Sequence, residues 1–431
     1  MRGSGDGWME GATDDISTRH PTRMRVLFLV QGEGRGHLTQ ALALAPMLRR
    51  AGHEIAAVMV GASPARTVPP FFVDEIGAPV ERVDEPGFGF RAGGVDWGRT
   101  LLGNAGRLGA FRAALRALDA AVERYRPDVV VNFYTLLGGL AGRWRSRTVC
   151  PTVCIGHQYA FHHPVYPFPA GHHAARTLAR AWTDATVPPG ARRLALSFYD
   201  APPVEARNLR VVPPLLRDSL ARHSVTDDGS LLVYLLHADY APRVEAWATR
   251  HVETRLHVFW DRADAPVALD RGPNLTFHRL DGAHFLRRMA ACHALVCTAG
   301  FESVCEAMYL GKPALMVPVG GHFEQACNAR DAAALGAGLH RRDFDIDALL
   351  ATAAAHVPVP GFRAWADRAE EVIVGEIERA AGVTRGAARA GGDGWDEAPD
   401  ATAGTADGPV AGATAGVISG DGHTASVALA A

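Results

Sequence analysis

The sequence predicts an α/β fold of two Rossmann-like, doubly wound domains that face a central cleft. Buried apolar strands alternate with helices in two consecutive stretches of the chain, the pattern of parallel sheets. A proline-rich interval separates the two stretches, and 431 residues suit two domains of roughly 150–200 residues.

The first stretch begins with residues 25–31 (RVLFLVQ), a continuous apolar run that ends in glycines. Such a run is typical of a strand buried on both faces. The other elements expected here are a helix over 38–51, a strand over 54–60, a helix over 108–125, and strands over 128–133 and 148–155.

The alternation loosens after residue 156, where proline pairs punctuate the chain, and we place a domain boundary near Val212–Leu216. Both ends of the chain lack periodicity, and the tail is rich in Gly, Ala, Thr and Asp. The predicted divisions are a disordered extension over 1–23, a first domain over 24–213, a second domain over 214–383 and a disordered tail over 384–431.

Alternation resumes at residue 230 with an apolar run (SLLVYLL). The expected elements are strands over 230–236, 256–260, 275–278, 294–298 and 313–318, and helices over 242–250, 283–291 and 301–310. Ligands of such sheets bind beyond the carboxyl ends of the strands, so the polar residues there are the candidates for a site.

Composition excludes several classes of function. A formal net charge of −2 gives no general attraction to nucleic acid. The six cysteines lack zinc-finger spacing and are expected to be buried free thiols in a reducing cytoplasm. There is no secretory signal and no apolar run of about 18 residues, so a cytoplasmic protein is expected. His162, His163, His172 and His173 follow no metal spacing, and no metal site is expected.

The first motif is QGEGRGH over residues 31–37, between a strand and a helix. Its third glycine comes one residue early for a dinucleotide fingerprint, and the second strand ends without an acid, which argues against a dehydrogenase. Gly34 and Gly36 instead deliver His37 to a helix N-terminus at the mouth of the cleft. A neutral imidazole there could act as a general base; a helix-terminal histidine of no consequence is the alternative.

The second motif covers residues 297–329. Gly300 turns the chain from a strand into a helix whose free N–H groups suit a diphosphate. Glu306 lies about one turn into that helix, where a carboxylate could bond ribose hydroxyls. Glu324 and Gln325 follow the next strand, and Asn328 is expected to start the next helical run. An ordinary βαβ unit with polar surface residues is the alternative.

These segments resemble a known superfamily. GEGRGHLTQALALAPMLRRAGHE resembles the N-terminal loop of GT-B glycosyltransferases, over roughly residues 25–54. CTAGFESVCEAMYLGKPALMVPVGGHFEQACNA resembles their donor-binding segment, over roughly residues 280–339. Within that superfamily, the segments are similar to those of the peptidoglycan lipid-intermediate N-acetylglucosaminyltransferases and their uncharacterised bacterial relatives.

The resemblance implies a role for each matching residue. His37 would be the base or an acceptor contact, and Glu306 would hold the ribose. The chain departs from the group where Leu236-His237-Ala238-Asp239 replaces a glycine-rich loop and where Glu324-Gln325 replaces paired glutamines, so the donor sugar stays open. The implied donor-binding set is His237, Phe285 by its backbone, Thr298, Gly300, Phe301, Ser303, Glu306, Glu324, Gln325 and Asn328.

The acceptor side is less defined. His157 and Gln158 follow a strand and could line the cleft, although a satisfied loop histidine is equally expected. Residues 99–116 mix Leu, Phe and Arg at near-helical spacing, which fits either an anionic lipid surface or a solvated helix face. The implied acceptor is a hydroxyl compound, lipid-linked or a glycolipid, with peripheral contact at the inner face of the cytoplasmic membrane.

The implied reaction is an inverting displacement that transfers a hexose-type sugar from a nucleotide-diphosphate donor, expected to be a UDP-sugar. No Asp-x-Asp motif lies at the predicted donor site, and the helix N-terminus would hold the leaving diphosphate without a metal. No cofactor beyond the nucleotide-sugar is expected. The alternatives are a nucleotide-sugar 2-epimerase of the same fold and a non-catalytic protein that binds a nucleotide or glycan.

Overall fold

Two seven-stranded sheets organise the chain. The structure is a computed structural model, and helices cover the faces of both sheets. The residues it describes are 23–64, 66–85, 90–91, 94–95, 108–144, 150–236, 238–262 and 265–383. The predicted disordered ends, apart from Arg23, lie outside these ranges.

All neighbouring strands of the first sheet are parallel, in the order β3-β2-β1-β6-β7-β8-β9. The direction of winding reverses between β1 and β6, which creates a crevice at their carboxyl ends. A separate hairpin of two-residue strands, β4 and β5, follows β3. The strands are β1 Arg25–Gln31, β2 Glu54–Ala62, β3 Val80–Asp84, β4 Phe90–Arg91, β5 Gly94–Val95, β6 Val129–Phe133, β7 Thr152–Gly156, β8 Arg192–Leu196 and β9 Leu209–Val212.

In the described part of the first half, five α-helices accompany this sheet. Pro70 occupies the first turn of the second helix, where its missing N–H costs nothing, and Gly77 ends that helix at φ 62°. The helices are α1 Arg35–Arg50, α2 Pro70–Ile76, α3 Leu108–Tyr125, α4 Leu136–Trp144 and α5 His173–Ala185, and a 3₁₀ turn covers His157–His162.

The second sheet has the order β12-β13-β11-β10-β14-β15-β16. Its other six strands are parallel in the same winding order as the first sheet, and β12 adds an antiparallel edge. The crevice of this sheet therefore lies between β10 and β14. The strands are β10 Leu231–Leu235, β11 Leu256–Trp260, β12 Ala268–Gly272, β13 Leu275–Arg279, β14 Ala294–Cys297, β15 Ala314–Met316 and β16 Gly338–His340.

Side chains cap the first turn of some helices of the second half. Asp281 accepts a hydrogen bond from the His284 N–H, and Asp345 accepts one from the Ala348 N–H. The helices are α6 Ala241–Arg250, α7 Gly282–Ala291, α8 Phe301–Tyr309, α9 Phe323–Ala334, α10 Ile346–Ala353, α11 Phe362–Asp367 and α12 Gly375–Ala380, with a π-helical turn at Glu370–Val374.

The last helical segment returns to the first sheet. Buried Glu376 pairs with Arg192 and Arg210, and buried Glu378 lies 2.9 Å from His53. Buried apolar residues of both sheets belong to one continuous core. The two sheets thus form a single compact unit, and the domain divisions named above stay predictions.

The predicted α/β class and the alternation are confirmed, and β1, β11 and α3 have the predicted bounds. The interval that lacks periodicity in the sequence contains α5, β8 and β9, which were missed because proline pairs interrupt short elements. The prediction that Asn328 starts a helix was wrong: α9 begins at Phe323, where His322 caps the first turn. No helix in the described part of the chain has both the length and the apolarity to cross a membrane.

Candidate active site

The crevices of the two sheets meet, so that residues following β1 and β7 contact residues following β11, β14 and β15. Arg35 of α1 pairs with Asp261, which follows β11, at 2.7 Å. The ring of His157 stacks on that of Phe301 at 4.0 Å. Gln158 donates a hydrogen bond to Glu324 at 3.1 Å. These contacts join the two halves of the site, and Gly36 of the first motif lies beside Glu302 of the second.

The glycine loop after β1 is held by its backbone. The Gly32 N–H donates to the Gly61 carbonyl at 2.7 Å, and the Glu33 carboxylate accepts from the Ser63 N–H at 2.6 Å. Gly34 precedes α1, with open space around it. A Cβ at Gly36 would lie 2.9 Å from the carboxylate of Glu302. Glycine at position 36 therefore lets the second sheet's helix approach α1.

His37 is buried in the first turn of α1, as the first motif predicts. Its ring stacks on Tyr134 with centroids 5.4 Å apart, and its Nδ1 lies 3.1 Å from Oε1 of Gln40. Burial lowers the pKa of His37 to about 4, so the imidazole is neutral at neutral pH. Among the described residues, its Nε2 has no hydrogen-bond partner.

Two non-glycine residues near His37 and α8 adopt the left-handed conformation. Tyr134 directly follows β6 at φ 64°, and Ala299 comes two residues after β14 at φ 56°. These strands occupy equivalent positions in the two sheets, next to the crevice. Such conformations cost about 1–3 kcal/mol each and cluster at functional sites. The structure thus has matching strained turns on both sides of the site.

Helix α8 begins at the predicted anion-binding turn. Gly300 is its N-cap with extended backbone, and buried Thr298 precedes it. The Ser303 hydroxyl donates to the Gly300 carbonyl at 3.2 Å. The N–H groups of a helix's first turn have no partner within the helix. They and the helix dipole suit an anion at this turn.

Gln40 and Glu302 are two site residues that the sequence analysis did not predict. Nε2 of Gln40 in α1 donates to Oε1 of Glu302 in α8 at 2.5 Å, which joins the two sheets. Burial raises the pKa of Glu302 to about 7. Glu302 lies within the second motif, but only the tertiary structure shows that it reaches the residue that contacts His37.

Glu306, the predicted ribose ligand, is buried in α8 and has a partner from outside both motifs. Arg217 donates to its Oε1 through Nε at 3.2 Å and through Nη2 at 2.6 Å. Arg217 lies on the segment between β9 and β10, which links the sheets. Any role of Glu306 in ligand binding therefore operates beside a permanent cation.

Replacing Arg217 with methionine should lower the free energy of unfolding by about 3 kcal/mol, because it leaves the Glu306 carboxylate buried without its partner. The double variant Arg217→Met, Glu306→Leu should recover most of this loss, since it removes both charges. Urea unfolding of the two variants and the native protein measures both effects. A double variant no more stable than Arg217→Met would contradict the assignment.

Three predicted donor-site residues, Glu324, Gln325 and Asn328, lie on α9 in different environments. Glu324 faces Gln158, and burial raises the pKa of Glu324. Oε1 of Gln325 accepts from the Val319 N–H at 2.8 Å, and Asn328 donates to the Ala299 carbonyl at 3.1 Å. Gln325 and Asn328 thus shape the loops after β15 and β14, and Glu324 is the carboxylate at the sheet junction.

His157 has both ring nitrogens engaged. Its Nδ1 donates to the Leu196 carbonyl at 2.7 Å, and Tyr166 Oη lies 3.3 Å from Nε2. Burial lowers the pKa of His157 to about 4. These contacts favour a satisfied histidine whose ring supports Phe301 rather than a base.

The remaining candidates are Phe285, His237 and the segment 99–116. Phe285 of α7 is buried against Tyr234 of β10 and Phe259 of β11. His237 lies outside the described residues. Of the segment 99–116, only residues from 108 onward are described, at the start of α3.

Two Rossmann-ordered sheets whose crevices meet at one site form the GT-B fold. Residues 24–358 match glycosyl transferase family 1. The chain belongs to that family and is a glycosyltransferase, as the resemblance implied.

One relative and two solved structures are similar to the chain. The chain is 28% identical over 346 residues to the UDP-N-acetylglucosamine–N-acetylmuramyl-(pentapeptide) pyrophosphoryl-undecaprenol N-acetylglucosamine transferase of Nocardioides sp., covering 75% of this chain and 86% of that protein. It is similar in fold to the glycosyltransferase of kitacinnamycin, with a TM-score of 0.56, 18% identity and coverage of 84% and 99% of the two chains. The calicheamicin glycosyltransferase CalG4 gives a TM-score of 0.53, 20% identity and coverage of 83% and 98%.

Proposed function

We propose that this glycosyltransferase moves a hexose-type sugar from a nucleotide-diphosphate donor to a hydroxyl acceptor by a metal-independent inverting displacement. The observation that carries the proposal is the position of His37. A buried, neutral imidazole with an unpartnered Nε2 lies on α1, which is hydrogen-bonded through Gln40 to the first turn of α8. The proton acceptor, His37, and the anion-binding turn of α8 are therefore connected within one site.

The donor binds at the start of α8 in this proposal. The diphosphate accepts hydrogen bonds at the turn formed by Thr298, Gly300 and Ser303, where the helix dipole favours negative charge. Glu306 takes the ribose and Glu324 the sugar hydroxyls, as the resemblance implies. A UDP-sugar is the proposed donor because the Nocardioides relative is named for UDP-N-acetylglucosamine.

In the reaction, the acceptor oxygen attacks the anomeric carbon and its proton passes to Nε2 of His37. The bond from the anomeric carbon to the donor phosphate oxygen breaks, and its electron pair leaves with the diphosphate. The α8 turn stabilises that charge where it develops. Attack opposite to the leaving group inverts the anomeric configuration.

The proposed acceptor is a lipid-linked sugar or glycolipid. The support is the name of the Nocardioides relative, which includes a pyrophosphoryl-undecaprenol compound. The protein would bind such an acceptor at the inner face of the cytoplasmic membrane, as a peripheral membrane protein.

The donor proposal predicts that one class of nucleotide-sugar raises the thermal unfolding midpoint. A ligand at 100 times its Kd stabilises the native state by about 2.7 kcal/mol, which is a shift of several degrees. The measurement is a thermal-shift series with UDP-N-acetylglucosamine, UDP-glucose, GDP-mannose and TDP-glucose, with each nucleoside monophosphate as its control.

A second step separates transfer from its alternatives. The donor that stabilises the protein is incubated with it alone, and the products are separated by anion-exchange chromatography. Slow release of nucleoside diphosphate by hydrolysis agrees with the proposal. Formation of the 2-epimer would show that the protein is an epimerase. If no donor stabilised the protein at millimolar concentration, the proposed donor binding would be contradicted.

A further inference from the structure

We propose that Glu302 is a positioning residue which, through Gln40, holds His37 in the tautomer that accepts a proton, and that this arrangement exists only while the two sheets are in contact. The inference deepens the proposed function, since it concerns the same base. It rests on the hydrogen bonds that connect the side chains of His37, Gln40 and Glu302.

The chain of hydrogen bonds is continuous. His37 Nδ1 lies 3.1 Å from Gln40 Oε1, and Gln40 Nε2 donates to Glu302 Oε1 at 2.5 Å. His37 and Gln40 are buried and Glu302 is half-buried, which limits the competition of water for these bonds. Hydrogen bonds to a charged group are the stronger kind, which makes the Gln40–Glu302 bond the anchor.

The orientation of the Gln40 side-chain amide determines which ring nitrogen of His37 carries the proton. Its oxygen only accepts and its nitrogen only donates, so its two ends cannot be exchanged without changing both neighbours. A carboxylate accepts and cannot donate, and therefore requires the nitrogen of Gln40 to face Glu302. The oxygen then faces His37, whose Nδ1 must carry the proton.

The opposite orientation would disable the base. With the amide reversed, its nitrogen would donate to Nδ1 of His37, and the ring proton would reside on Nε2. Nε2 could then not accept a proton from an acceptor hydroxyl. The negative charge of Glu302 thus selects the active tautomer without moving a proton itself.

The packing around Glu302 is adapted to this contact. A Cβ on Gly36 would lie 2.9 Å from Oε2 of Glu302, so the backbone of α1 approaches the carboxylate closely. Glu302 belongs to α8 and the second sheet, whereas Gly36, His37 and Gln40 belong to α1 and the first. Separation of the sheets would break the Gln40–Glu302 bond and release the amide.

The charge of Glu302 is sensitive to pH near neutrality. Burial is the main cause that raises the pKa of Glu302 to about 7, and the nearby carboxylates of Glu324 and Glu306 raise it further. Hydrogen bonds from its own backbone N–H and from Gln40 act in the opposite direction. Protonation would add a donor and remove the constraint on Gln40. The titratable groups that face it are His37 of α1, Glu306 and Cys305 of α8, Glu324 of α9 and Tyr234 of β10.

The test is the tautomer of His37, read by long-range ¹H–¹⁵N correlation spectra of the full chain labelled at histidine. The His37→Gln variant identifies the signals by their loss. At pH 8 the native protein should show the Nδ1–H tautomer alone. Glu302→Gln keeps the shape but can donate as well as accept, so it should populate both tautomers.

Glu324→Gln is the matched control, because it makes the same chemical change at a buried carboxylate of the same junction. It should leave His37 in the Nδ1–H form. The proposal is overturned if the native protein shows the Nε2–H form, if Glu302→Gln leaves the tautomer unchanged, or if Glu324→Gln alters it equally. No substrate is needed, so these outcomes are independent of the donor and acceptor proposed above.

Turnover supplies a second measurement once a donor is found. Glu302→Gln should lower kcat roughly tenfold at pH 8 with little change in donor KM, because only a fraction of the enzyme has a competent base. In the native enzyme kcat should fall as pH decreases through about 7, where Glu302 gains its proton. That inflection should be absent from Glu302→Gln, and its persistence there would contradict the role of Glu302.

Discussion

Replacing His37 with alanine should lower the rate of sugar transfer by about 10²–10⁴-fold, the contribution typical of a general base. Donor affinity should stay unchanged, because the donor is proposed to bind at α8. Burial lowers the pKa of His37 to about 4, so in the native enzyme protonation of this ring should not reduce turnover until the pH approaches that value. Steady-state kinetics and a donor titration by thermal shift measure the two quantities separately.

His293→Ala is the control for this change. His293 precedes β14, at the amino end of that strand and opposite to the site, and pairs with Asp227 at 2.7 Å. Its loss should leave both kcat and donor affinity within about twofold of the native values, as for a change away from the site. Native turnover in His37→Ala would remove His37 from the mechanism.

The second large effect is expected for Phe301→Ala. The Phe301 ring, 3% exposed, stacks on His157 at 4.0 Å and lies 4.8 Å from the ring of Phe198. Truncation of a buried phenylalanine costs about 3–5 kcal/mol of stability. Because Phe301 is also the first residue of α8 and joins the two sheets there, its loss should weaken donor binding and abolish transfer.

Phe72→Ala separates these two consequences. Phe72 is fully buried in α2 on the first sheet, so its truncation should cost a similar free energy of unfolding, by urea denaturation. Donor affinity, measured at a temperature where both variants are folded, should fall in Phe301→Ala and hold in Phe72→Ala. Equal affinities in the two variants would show that Phe301 contributes only to stability.

Much of the fold could be predicted because parallel strands buried on both faces have a clear pattern. Arg25–Gln31 and Leu256–Trp260 are continuous apolar runs, and both have the predicted bounds. The strand Arg192–Leu196 begins with two arginines and follows a proline pair, so its sequence resembles a loop. Its pairing with β7 and β9 makes it a strand, and that information is tertiary.

Some residues of the candidate site could be predicted from local sequence, and others could not. His37 and Gly300 could be predicted because a glycine turn between a strand and a helix has a local meaning. Arg217 could not, since it lies on a linker and reaches Glu306 across 89 positions of sequence. The bond between Gln40 and Glu302 spans 262 positions, and no periodicity relates two such residues.

The contact between α1 and α8 has a consequence for protein engineering. If the base is supplied by one half of the chain and its orienting carboxylate by the other, the halves are not interchangeable parts. A hybrid that joins the first sheet of this protein to the second sheet of a relative would inherit that relative's residue at position 302. Such a hybrid would bind donor by its own second half, yet its base would be oriented only if that residue were an acceptor of the right length.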